Sequence, residues 1–259
     1  MIRVRHINGG YLQAAGGPRA GCHCLLLEHS RGLALVDTGI GLRDIAEPLR
    51  RIGQAAIDAA GFQFEPENTL FRQLQAAGYR PGDVTDIVLT HADADHAGGL
   101  ADFPQATVHV AQAELDAVRQ DAAGARYSAA QFEHGPHWRP VAAFDGEWFG
   151  LPCATPDIGD GGEVRMVPLP GHTVGHCGVA VRAEGSWLLH VGDAYYLRVE
   201  LDRDDHPVSA LATMRAADDA KRRASIEALR AFRRAHGGEV AMFGYHDLSE
   251  MPAAHATSA

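Results

Sequence analysis

Between His91 and His96 the chain places four metal-ligand side chains in six positions: His91-Ala-Asp93-Ala-Asp95-His96. Only alanines separate them, so nothing bulky crowds the cluster, and Gly98-Gly99 behind it allow a tight turn. Imidazole and carboxylate together are the donor types expected for Zn²⁺, Mn²⁺ or Fe²⁺. A lone His or Asp in such a place would read as an exposed turn. Three further strand-like runs, however, each end in a donor: Glu163–Val167 leads to His172, Ser186–Val191 to Asp193, and Val240–Phe243 to His246. Asp86–Thr90 runs directly into His91. Strand ends are where a sheet fixes position while the following loop stays free to vary. Four in one chain is a pattern that calls for a fold able to gather them.

The rest of the chain alternates strands and helices. Met1-Ile-Arg-Val-Arg-His6 reads as a strand, and Cys24–Glu28 and Leu33–Asp37 flank a Ser30-Arg31-Gly32 turn. Ile45, Leu49 and Ile52 fall at helical spacing, and Gly53 closes that segment. Helices are expected over 68–77, 112–119 and 218–235, the last carrying Ile226, Leu229 and Phe232 on one face. Residues 124–156 hold no sustained period and read as one long irregular segment, with His134, His137, Trp138, Trp148 and Phe149 as candidates for a pocket mouth. His109 and His190 lie inside strands and read as satisfied core histidines. A single compact domain over 1–259, sheets covered by helices, fits better than two domains and a linker.

Composition narrows the function. A net charge of −10 with no basic run outside a helix argues against nucleic acid. No apolar run is long enough for a membrane span, and the N-terminus shows no export signal, so a cytoplasmic protein acting on a small molecule is expected, with a homodimer allowed. The four cysteines, Cys22, Cys24, Cys153 and Cys177, lack zinc-finger spacing and read as buried free thiols.

Thr90-His91-x-x-x-Asp95-His96-x-Gly98-Gly99 resembles the metal-binding motif of the metallo-β-lactamase superfamily, usually written His-x-His-x-Asp-His. Asp37-Thr-Gly39, Pro170-Gly171-His172-Thr173-x-Gly175-His176, Gly192-Asp193 and His246 are similar to its other motifs and occur in the same order. The resemblance implies an α/β fold, a four-layer αββα sandwich of two mixed β-sheets flanked by helices. It also implies a metal-dependent hydrolase that uses a metal-bound hydroxide. His91, Asp93 and His172 would hold one divalent metal, Asp95, His96 and His246 a second, and Asp193 would bridge. Asp95 would orient the water, and His176 and Asp37 would steady the ligands. Zinc is the first expectation. Asp93 departs from the family's second His, and its harder oxygen admits manganese or iron.

Tyr196 follows Asp193 by three residues, as does a substrate-facing Tyr in the N-acyl-homoserine lactone lactonases of this superfamily. It is the second candidate catalytic residue beside Asp95. Lactone or related carboxylic ester hydrolysis is therefore preferred. The alternatives are thioester hydrolysis of the glyoxalase II kind and a non-hydrolytic iron redox or binding relative.

Overall fold

The computed structural model describes residues 2–121, 124–159 and 161–252; Met1 of the expected first strand lies outside them. Two sheets dominate. The first contains β1 (Arg3–Leu12), β2 (Ala20–His29), β3 (Gly32–Val36), β4 (Phe62–Gln63), β5 (Val84–Val88), β6 (Thr107–Ala111) and β7 (His137–Val141), in the order β4-β1-β2-β3-β5-β6-β7. Its β4–β1–β2–β3 half is antiparallel and its β3–β5–β6–β7 half parallel. A short hairpin of β8 (Gly146–Trp148) and β9 (Leu151–Cys153) leads to the second sheet. This comprises β10 (Val164–Pro168), β11 (Cys177–Ala183), β12 (Ser186–His190) and β13 (Val240–Phe243), antiparallel except for the β12–β13 pair.

Side chains alternate across a strand, and that period of two builds the layers. Leu25 and Leu27 of β2 face the second sheet and pack with Met166, Val179 and Val181. Leu26 between them points the other way, into a cluster with Leu35, Ile87 and the helical Leu70 and Leu74. On the far side, Ala180 and Leu189 meet Leu229 and Phe232 of the helix Asp219–His236. The stacking order is helix, sheet, sheet, helix, and both sheets are mixed, as the sequence implied. Each fully buried Leu, Val or Phe contributes about 1.5–3 kcal/mol. Among the described residues no helix is long and apolar enough to cross a membrane.

Local signals hold where they are self-sufficient. Asp218 caps the helix Asp219–His236 by accepting from the Lys221 N–H at 3.0 Å. The β11–β12 turn places both Glu184 and Gly185 at positive φ, the conformation a two-residue hairpin requires.

Elsewhere the structure differs. The expected helical run at 45–52 breaks at Pro48, which lacks an N–H, into Leu42–Ala46 and Pro48–Arg51, and Leu49 is left 63% exposed. The segment 124–156 is not irregular throughout. It supplies β7, the helix Ala129–Phe132 and the β8–β9 hairpin. β7 pairs with β6 at the sheet edge, where Pro140 is tolerated, so register with β6 organises it rather than any period of its own. The helices Gln54–Ala60 and Pro207–Arg215 had no sequence signal.

Candidate metal centre

The parallel strands β3, β5, β12 and β13 all deliver their carboxyl ends to one edge of the sandwich. Asp37 follows β3, His91 follows β5, Asp193 follows β12 and His246 follows β13; the loop after β10 adds His172. Asp95 and His96 ride on the single helical turn Ala94–Ala97, with Asp93 at its N-cap. Gly98 and Gly99 serve close approach rather than unusual backbone angles. A Cβ on Gly98 would lie 2.1 Å from an Asp44 carboxylate oxygen, and one on Gly99 2.7 Å from the Thr38 carbonyl.

All seven residues expected as ligands come together and are buried. Three sets bring one donor atom each within 4.8 Å of the others: His91, Asp93 and His172; His91, His96 and Asp193; and Asp95, His96 and His246. Asp193 stands between the outer two sets. Its Oδ2 lies 3.4 Å from His172 Nε2 and 3.3 Å from His246 Nε2, and its Oδ1 lies 3.3 Å from His96 Nε2. Asp93 Oδ2 is 3.1 Å from His172 Nε2 and 3.5 Å from His91 Nε2, so the shorter side chain does reach the cluster.

Neighbouring groups fix which imidazole nitrogen faces inward. Asp37 accepts from His96 Nδ1 at 2.8 Å while also accepting from the Thr90 N–H and hydroxyl. It does so from a left-handed backbone (φ 56°), a strained conformation for a non-glycine residue at the end of β3. The Gly21 carbonyl takes His246 Nδ1 at 2.9 Å. His176 does not point into the cluster. Its Nδ1 donates to the Leu169 carbonyl and its Nε2 accepts from the Asp193 N–H, both at 2.9 Å, which holds the backbone of Asp193. Burial and the neighbouring His172 push the His176 pKa down to about 3, so it stays a neutral acceptor.

Charge in the cluster is unbalanced toward anions. Burial opposes a charged His96, yet the carboxylates of Asp193, Asp95 and Asp37 raise its pKa well above the ordinary value. His246 is raised in the same way, against burial, by Asp193 and Asp95. At the same time His91 Nε2, His96 Nε2 and Asp193 Oδ1 are buried with no hydrogen-bond partner among the described residues. Inward-facing imidazole and carboxylate atoms without hydrogen-bond partners, in a cluster whose carboxylates favour positive charge, are a donor set that a divalent cation satisfies by replacing the proton on the imidazole.

A cavity of about 250 Å³ opens above the cluster. Asp93, Asp95, His172, Asp193 and His246 form its polar floor, with Tyr196 beside them. Its apolar lining includes Ala56, Ala59, Phe62, Val208 and Leu211. The Tyr196 hydroxyl lies 3.4 Å from His172 Nδ1. Tyr195 points away into the core and donates to Glu250. The aromatic mouth expected from 134–149 is not there: none of His134, His137, Trp138, Trp148 and Phe149 lines the cavity, and Trp148 stacks on Phe232 with ring centroids 5.3 Å apart. His109 Nε2 donates to the Asp86 carboxylate at 2.8 Å and His190 Nε2 donates to the His23 carbonyl at 2.6 Å, both as core histidines. The four cysteines are free and buried.

Two residues were missed. Glu114, fully buried, accepts from the Ala92 N–H, the Tyr127 hydroxyl, the Thr173 hydroxyl and the Gly175 N–H, tying the His91 loop to the His172 loop. Arg126 grips Asp93 through Nε at 2.7 Å and Nη2 at 2.6 Å. A Glu in an amphipathic helix and an Arg in an unpatterned loop carry no sequence signal of either role.

Fold, motif order and donor geometry agree with one family. The chain belongs to the metallo-beta-lactamase superfamily, whose sequence profile matches residues 17–235. Among individual relatives, a probable metallo-hydrolase of Mycobacterium tuberculosis is 44% identical over 207 residues, 78% of this chain and 65% of that protein, so the chain spans just under two thirds of its length. The N-acyl homoserine lactonase AttM of Azorhizobium caulinodans is 29% identical over 177 residues, 66% of this chain and 64% of that protein. The fold is shared with a variant of B. thuringiensis AiiA that has N-decanoyl-L-homoserine bound at its active site (TM-score 0.74, 21% identity, 96% of this chain and 94% of that one).

Proposed function

We propose that this protein is a metal-dependent hydrolase that opens a lactone, or cleaves a related carboxylic ester, bearing an apolar arm. The observation that carries this is the pairing of a polar floor of imidazoles and carboxylates with an apolar-walled cavity directly above it. The lactonase name of one relative and the acyl-homoserine ligand of the AiiA structure support the same substrate class.

His91, Asp93 and His172 would hold one metal and Asp95, His96 and His246 the other, with Asp193 between them. Zinc suits the imidazoles, and the Asp93 oxygen also admits manganese or iron. When bound, such a pair supplies an acidified water as nucleophile and polarises the substrate carbonyl. The chain does the rest. Asp95, on the rim of the floor, orients the attacking water. Tyr196 presents its hydroxyl at the cavity, placed to donate to an oxyanion that develops during attack. The apolar walls seat the substrate's arm and exclude bulk water from the floor.

The test is anaerobic purification and elemental analysis, followed by a panel of alkyl-substituted lactones, thioesters and phosphoesters at saturating zinc, manganese or iron. Two metals per chain and turnover of lactones above the other classes is the expected result. Preferential thioester turnover would replace the lactone assignment with the glyoxalase II kind. A fully loaded protein that hydrolyses none of them would end the hydrolase reading.

A further inference from the structure

One permanently charged cationic side chain, Arg126, stands beside the floor. The Arg126 guanidinium donates to both Asp93 oxygens, and its Nη2 also lies 2.9 Å from His172 Nε2. A guanidinium has only donors, so His172 Nε2 accepts there. Those are two of the three donors of the His91–Asp93–His172 set. The single Nε2 lone pair of His172 cannot serve Arg126 and a metal together, and on Asp93 the guanidinium occupies one lone pair of each oxygen and sets a positive charge beside the position.

The cation is held in place from behind. Its Nη1 donates to the Arg215 carbonyl at 2.9 Å. Its loop is ordered by Asp121, whose carboxylate accepts from the N–H groups of Ala125, Arg126 and Tyr127. Asp95, by contrast, forms ion pairs among the described residues only with His96 and His246, and no arginine or lysine reaches that set.

We infer that Arg126 is a built-in competitor for the Asp93 position, so that the two metal positions differ in affinity and fill in order, the Asp95–His96–His246 position first. Arg126 must release His172 before the second cation can enter, and its charge opposes that cation for as long as it stays on Asp93. The chain thereby offsets the extra negative charge that Asp93 brings where the family carries a neutral histidine. This inference rests on the proposed metal centre, and its test separates the two.

Metal-free protein is titrated with Co²⁺ and followed by calorimetry and by the visible d–d absorption of the bound ion, for the wild type, Arg126→Gln and Arg126→Lys. The wild type is expected to take up one equivalent tightly and a second at least about tenfold more weakly, since a like charge a few ångströms away opposes entry. Arg126→Gln should tighten the second step by about tenfold or more and leave the first unchanged. Arg126→Lys, which keeps the charge but loses the two-pronged grip, should fall between them. Circular dichroism of the metal-free variants confirms that they fold, and the lysine variant carries the test if the glutamine variant does not. A second step that weakens in Arg126→Gln would make Arg126 a positioning residue for Asp93 and overturn the inference. Equal, simultaneous filling of both positions in the wild type would also overturn it. Failure to take up any Co²⁺ would instead remove the metal centre itself.

Discussion

At the scale of single residues, the catalytic candidate Tyr196 and the structural carboxylate Glu114 make separable predictions. The Tyr196 ring lies edge-on to His172 and His246 and its hydroxyl is 3.4 Å from His172 Nδ1, so Tyr196→Phe, which keeps the ring, should keep the fold and metal content. Turnover should fall by about 10²-fold or more with little change in KM, as expected when one oxyanion donor is lost. Wild-type kinetics would refute that role. Glu114 accepts four bonds from donors on separate elements. In Glu114→Gln an amide NH₂ would face two of those donors, so stability should drop by about 2 kcal/mol or more, read as a fall in the urea midpoint. The donor residues were legible because four of them crowd into residues 91–96 and three more follow separate strand-like runs, a coincidence that a single His or Asp at a turn does not carry. Glu114 and Arg126 were not, because their roles are set by what packs against them.

At the scale of elements, the helix Leu42–Ala46 and the 3₁₀ segment Gly98–Asp102 meet where Asp102 accepts from the Leu42 N–H at 2.9 Å. Burial pushes the Asp102 pKa up to about 6, and the nearby Asp44 carboxylate adds to the rise. An unfolded Asp titrates near ~3.9, so the folded state holds this proton more tightly. The stability this gives is complete below about pH 4 and is lost as pH rises through about 6. Asp102→Asn should therefore raise the melting temperature at pH 7.5 more than at pH 4.5. An equal change at both pH values would show that burial of the charge is not the cause. Element prediction succeeded for β2, β5, β12 and the helix Asp219–His236, where period and caps agree. It failed for β7, whose sequence His137-Trp-Arg-Pro-Val141 has no strand alternation and takes its conformation from the edge of β6.

At the scale of the whole molecule, the candidate ligands arrive from four strand ends and one helical turn in both sheets. A cation bound there would bind the folded chain and not the unfolded one. At about 100 times its dissociation constant that adds ~2.7 kcal/mol, which for a chain of this size is a melting shift of roughly 5–10 °C. Chelation followed by gel filtration should lower the melting temperature by that amount, and re-addition of zinc should restore it; no shift in either direction would speak against a metal at this edge. The amino-acid order alone determined the donor types, their sequence along the chain, their places at strand ends and the alternation that makes two sheets bury one another, because each of these is a local property. Only the tertiary structure decided that Asp193 stands between His172 and His246, that Arg126 lies on Asp93, and that Ala56 and Ala59 line one cavity with Val208 and Leu211. Those are contacts between distant segments of generic residue types, and packing alone specifies them.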